Sequence, residues 1–71
     1  MPEVSVAAAS ISTVLKQAGL VSSTSEALRL IDGGGVRVDG DKVSEKNMVM
    51  KAGVTVVMQI GKRKFARVTL I

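Results

Sequence analysis

The sequence predicts an α+β domain in which a two-helix motif packs on a small antiparallel sheet. Up to Ile31 the apolar residues recur at the spacing of a helix face, whereas from Val36 onward they alternate with polar residues as in a strand. The chain has 71 residues, 46% of them hydrophobic, and contains no cysteine and no histidine. This composition favours one small core and excludes disulfides, thiolate or imidazole metal sites and Cys or Ser–His nucleophiles.

The first helix is expected to begin after Ser10, a suitable N-cap, and to end at Gly19, which can take the left-handed conformation that ends many helices. Its apolar face is formed by Ile11, Val14, Leu15 and Ala18. Residues 1–9 contain neither a cap nor a periodic apolar pattern, so they are predicted to be the tail of a linker. The domain itself is then expected to span residues 10–71.

The second helix has a capping box, in which the Ser23 hydroxyl can accept from the Glu26 amide and the Glu26 carboxylate can reach back. Three glycines at residues 33–35 end this helix. Two short strands follow around the turn dipeptide Asp39-Gly40, and residues 46–53 are expected to form a loop. Residues 54–60 and 65–71 are the two longest predicted strands.

Charge is distributed unevenly along the chain. Residues 1–45 carry four basic and six acidic residues, whereas residues 46–71 carry six basic residues and no acidic one. A segment so strongly basic indicates a polyanionic partner, although lysines that keep an edge strand soluble give the same pattern.

One group of candidate binding residues surrounds the second helix. Its start offers backbone amides and the hydroxyls of Ser23, Thr24 and Ser25, which suit a phosphate. Arg29 lies about one turn further along, and Arg37 follows the glycines, so these residues could line a groove for a nucleic-acid backbone. The alternative is that the serines only cap the helix and that Arg29 is simply solvated.

The second group of candidates lies near the end of the chain, in residues 61–67, which we call the basic segment. Lys62 and Lys64 share one strand parity, whereas Arg63, Phe65 and Arg67 share the other. If the last apolar residues face the core without a bulge, Phe65 faces outward between the two arginines and can stack on an unpaired base. If a bulge shifts the register, Phe65 belongs to the core.

Enzymatic and membrane functions find little support in the sequence. Asp39 and Asp41 flank a turn, where aspartates are common, and the three glycines lack the Lys-Ser/Thr that follows a phosphate-binding loop. Neither catalytic nor metal-binding residues are predicted. No apolar run approaches the roughly 20 residues that span a bilayer.

Two stretches of the sequence resemble a known family. Residues 18–43, with Gly-Leu, Ser-Thr-Ser-Glu-Ala, and Val-Arg-Val-Asp-Gly-Asp-Lys-Val, are similar to the RNA-binding domain named after ribosomal protein S-four, which carries the alpha-L RNA-binding motif. Residues 59–68, Gln-Ile-Gly-Lys-Arg-Lys-Phe-Ala-Arg-Val, are similar to the C-terminal end of bacterial tyrosyl-tRNA synthetases.

The resemblance implies a tRNA-binding appendage without catalytic motifs of its own. By matching position, the family's RNA face would include Thr24, Ser25, Arg29, Arg37 and Lys42. Many members have arginine where this chain has Thr24, so one phosphate contact is expected to shift to the basic segment.

The partner implied is tRNA for tyrosine, with no cofactor bound by this chain and with ATP and magnesium acting at the parent's catalytic domain. A monomeric fragment, a homodimeric parent and a cytoplasmic location are expected. Two alternatives stay open. One is a similar domain of a pseudouridine synthase or ribosome-associated factor, and the other is a module that binds acidic proteins or an anionic membrane surface.

Overall fold

The computed structural model describes residues 2–46, 48–62 and 64–71. Its helices span Ile11–Gln17 (α1) and Thr24–Asp32 (α2). Its strands, in chain order, span Glu3–Val6 (β1), Val36–Val38 (β2), Asp41–Lys42 (β3), Thr55–Ile60 (β4) and Lys64–Leu70 (β5). The predicted α+β class and the predicted order of elements from α1 onward are confirmed.

The strands form one sheet in the order β1-β5-β4-β2-β3. β1 lies parallel to β5, while the other described neighbours are antiparallel, so the sheet is mixed rather than purely antiparallel as predicted. The interpretation of residues 1–9 as a linker tail misses β1. Val6 is buried and Val4 is half-buried, so the strand contributes to the core as well as to the sheet.

Both helices begin as their caps predict. Ser10 has the extended backbone of an N-cap, although its hydroxyl bonds Ser12 and Thr13 hydroxyls and not a backbone amide. At α2 the Ser23 hydroxyl accepts from the Glu26 amide at 3.1 Å. The Glu26 carboxylate accepts from the amide of Ser22 at 2.9 Å, one residue earlier than in a standard capping box.

The core lies between the helix pair and one face of the sheet. The helices contribute Ile11, Val14, Leu15, Ala27 and Ile31, and the sheet contributes Val36, Met58, Ala66, Val68 and Leu70, all of them buried. Aliphatic and methionine side chains therefore form this core, and the other face of the sheet stays open to solvent.

The β2–β3 turn positions Arg37 and Lys42 relative to β4. Asp39 and Gly40 have φ angles of 52° and 87°, the left-handed pair of a type I′ hairpin turn. The Asp39 side chain also accepts from the Val57 amide at 2.9 Å, which joins the turn to β4. Arg37 and Lys42 consequently face each other across the hairpin.

Candidate nucleic-acid interface

The glycine turn, residues 33–35, joins the end of α2 to the β4–β5 connection. Gly34 has a φ of +76°, which L side chains rarely adopt. The carbonyl oxygen of Gly35 accepts from the Gly61 amide at 2.8 Å. This hydrogen bond holds the start of the basic segment against the end of α2, although the two lie far apart in sequence.

A groove of about 310 Å³ lies between the glycine turn and the β4–β5 connection. We call it the basic groove; it is lined by Gly34, Gly35, Arg37, Gln59, Gly61 and Lys62. Its glycines present backbone without side chains, and the arginine and lysine supply positive charge. The amides of these three glycines already donate to backbone carbonyl oxygens. The arginine and lysine side chains are therefore the charged groups of this groove that can bind phosphate.

Lys42 extends this positive surface over the glycine turn. A Cβ built on Gly34 would lie 2.6 Å from the Lys42 Cε and 2.9 Å from its Nζ. The ammonium of Lys42 therefore rests directly against Gly34, at the edge of the basic groove. A residue with a side chain at Gly34 would displace it.

Arg29 lines a second groove, which shares Gly35 with the basic groove. This groove, also about 310 Å³, is lined by Glu26, Arg29, Leu30, Gly33 and Gly35. Glu26 is the acidic group on this side, and its carboxylate already accepts the Ser22 amide. The structure thus brings Arg29, Arg37, Lys42 and Lys62 around one glycine turn.

Phe65 lies on the open face of the sheet. The strand registers place Lys42, Arg37, Gln59 and Phe65 in one row across β3, β2, β4 and β5. Phe65 is 37% exposed, whereas Ala66, Val68 and Leu70 are buried, and the β4–β5 register runs without a bulge. Of the two interpretations of Phe65, the outward-facing one is therefore confirmed.

The family model of the S4 domain matches residues 11–56, which run from the start of α1 into β4. The chain belongs to the S4 domain family. It is also 67% identical over 58 residues to the tyrosine–tRNA ligase of Thiobacillus denitrificans, an alignment that covers 82% of this chain and 15% of the ligase. With the tyrosine–tRNA ligase of Bordetella pertussis it shares 55% identity over 73 residues, which cover the whole chain and 18% of that protein.

A third relative, the tyrosine–tRNA ligase of Shewanella oneidensis, is 50% identical over 74 residues, covering 100% of this chain and 19% of the ligase. The S4 domain described here therefore spans less than a fifth of the length of these curated relatives. The resemblance that the sequence suggested is confirmed at the level of the family.

Three of the predicted site residues lie away from the glycine turn of this S4 domain. Ser23, Thr24 and Ser25 are at the opposite end of α2, which at nine residues is about 13 Å long. The Ser23 hydroxyl is occupied as a cap, while Thr24 and Ser25 are exposed. These residues form no part of the basic groove.

The basic segment divides between the two faces of the sheet. Lys64 lies opposite Ile60, on the parity of the core, and its exposed side chain is on the other face from Phe65. Arg67 shares the open face with Phe65 and bonds Glu3 through its Nη1 at 3.1 Å. Arg63 lies outside the described residues.

Gln59 is the residue that the sequence interpretation missed. It lines the basic groove and lies directly opposite both Arg37 and Phe65 in the sheet. Its signal in the sequence is that it follows Val56, Val57 and Met58 and precedes Ile60, a lone amide in an apolar strand.

The described part of the chain contains no group of three or more Asp, Glu, His or Cys side chains that could hold a metal ion. In residues 2–46, 48–62 and 64–71 there is also no helix with the length and apolar character needed to cross a bilayer.

Proposed function

We propose that this S4 domain is the tRNA-binding part of a tyrosine–tRNA ligase and that it grips tRNA for tyrosine. Tyrosine activation with ATP and magnesium would take place elsewhere in the parent protein. The observation that carries the proposal is the gathering of four cations around the glycine turn in a chain that aligns over its whole length with ligases of this name. In the parent we expect a cytoplasmic, homodimeric enzyme.

The dimensions of the surface suit a nucleic-acid strand better than a single anion. Neighbouring strands of a sheet lie about 4.8 Å apart, so the row from Lys42 to Phe65 is roughly 14 Å wide. A row of this width is longer than one phosphate group and can contact successive phosphates of a strand. Arg29 continues the positive surface along α2.

The ion pairs of the described residues leave the charge of this surface free. Lys46 is paired with Asp32, with 2.8 Å between its Nζ and the Asp32 Oδ2, and Arg67 is paired with Glu3. Within the described residues, none of the four cations around the glycine turn is in such an ion pair. Their charge therefore remains available for phosphates.

The test is a titration of the 71-residue chain into fluorescently labelled tRNA for tyrosine. The comparison ligands are a tRNA for another amino acid, a ribosomal RNA hairpin and anionic liposomes. Tighter binding to tRNA for tyrosine than to the other three supports the proposal. Equal affinity for all RNAs would favour a general ribosome-associated domain, and equal affinity for liposomes would favour a charged-surface module; either result would overturn it.

A further inference from the structure

Phe65 has a position that core packing does not explain. It is the single aromatic residue of the sequence, and it lies 37% exposed on the open face while aliphatic side chains fill the core. An aromatic ring on an open sheet face beside cations is the arrangement that stacks unpaired bases.

Gln59, directly opposite Phe65, presents an oriented hydrogen-bond acceptor. Its Nε2 donates to the Gly61 carbonyl oxygen at 2.9 Å, which fixes the amide and leaves Oε1 as the atom that can accept. Within the described residues no protein donor bonds this oxygen. The half-buried position of Gln59 limits the number of conformations that its side chain can adopt.

Two cations complete the arrangement on the side away from Phe65. Arg37 lies opposite Gln59 on β2, and Lys62 lines the same groove. A nucleotide whose base lay on Phe65 would thus have its phosphate close to both positive charges. Together these groups suit one nucleotide, with a ring for the base, an acceptor for the base edge and cations for the phosphate.

We propose that Phe65, Gln59, Arg37 and Lys62 hold one unpaired nucleotide of the bound RNA, a site we call the nucleotide corner. The inference rests on the RNA-binding function proposed above and adds a base preference to it. In this site the position-4 group of the base faces Oε1 of Gln59, where the cytosine amino group can donate, whereas the uracil O4 would set one acceptor against another. The nucleotide corner therefore prefers cytosine to uracil.

Tryptophan fluorescence provides a direct test because the chain contains no tryptophan and no tyrosine. Phe65→Trp places a lone indole in the nucleotide corner, and Val54→Trp places the matched control at the other end of the sheet, at a residue that is 43% exposed. The probes are cytidine and uridine RNA hexamers. We expect both hexamers to quench Phe65→Trp and neither to quench Val54→Trp at the same concentration, with cytidine binding about two- to tenfold tighter, the effect of one neutral hydrogen bond.

With Gln59→Leu added to Phe65→Trp, both hexamers should still quench the indole fluorescence. The ratio of the affinity for the cytidine hexamer to that for the uridine hexamer should fall close to one. Phe65→Leu should weaken binding of a labelled cytidine hexamer by about tenfold, the loss of one stacked base, without requiring the tryptophan variant to fold. A cytidine-to-uridine ratio unchanged by Gln59→Leu, or an acidic peptide that alters the Phe65→Trp emission as strongly as the hexamers do, would overturn the site.

The outcome also separates this inference from the proposed function. If labelled tRNA binds the chain but the Phe65→Trp indole is not quenched, the nucleotide corner is wrong and the tRNA-binding function stands. If tRNA does not bind, both proposals fail.

Discussion

Replacing Arg37 and Lys62 together by alanine should weaken tRNA binding and make it less dependent on salt. Both residues line the basic groove, and both are exposed. The hydrogen bond that Arg37 donates to the Gly40 carbonyl oxygen is long, at 3.4 Å, and exposed, so its loss should change the free energy of unfolding by no more than about 0.5 kcal/mol. The effect on binding is thus separable from folding.

The magnitude follows from counterion release. Each phosphate neutralised by a cation contributes about 0.7 to 0.9 to the slope of log affinity against log salt. Two lost contacts should therefore lower the slope by about 1.5. Between 50 and 200 mM salt, a difference of that size changes the ratio of wild-type to variant affinity by about eightfold, with the larger ratio at low salt.

The assay is fluorescence anisotropy of labelled tRNA at four salt concentrations. The matched control is Lys16→Ala with Lys51→Ala, which removes the same charge at two exposed residues that do not line the basic groove. We expect the control to reduce affinity modestly with little change in slope. Equal slopes for the two double variants would refute the claim that Arg37 and Lys62 contact phosphate.

Three further predictions test individual features. Gly34→Ala and Gly40→Ala should each destabilise the domain by about 1–2 kcal/mol in chemical denaturation, because both glycines have positive φ. Only Gly34→Ala should also weaken tRNA binding, because the added Cβ displaces the Lys42 side chain. Ser23→Ala should cost about 1 kcal/mol of stability through the lost cap and leave tRNA affinity unchanged; a loss of affinity would show that the α2 N-terminus binds RNA. Val6→Ala should cost about 1.5 kcal/mol, the burial of two methyl groups, and no change in stability would contradict β1 as part of the core.

The sequence was sufficient to predict the elements whose signals are local. The Ser23 cap, the Asp39-Gly40 turn and the change of apolar period at the glycines each depend on neighbouring residues, and each appears in the structure. The orientation of Phe65 could also be predicted for a strand without a bulge, because Phe65 and the buried Val68 have opposite parity and so lie on opposite faces of the sheet.

The features that could not be predicted depend on pairing between distant residues. β1 becomes a strand through its register with β5, in which Glu3 lies opposite Arg67, and nothing near Glu3 indicates that partner. Likewise Gln59 becomes a candidate only when the register sets it between Arg37 and Phe65.

If RNA binds around the glycine turn and on the adjacent open sheet face, adding tRNA for tyrosine to the isotopically labelled chain should change amide chemical shifts there. We expect the largest shifts on Arg29, on Gly34 to Arg37, on Lys42 and on Gln59 to Lys62, with Phe65 shifting alongside them. Shifts confined to α1, β1 and residues 49–54 would contradict it.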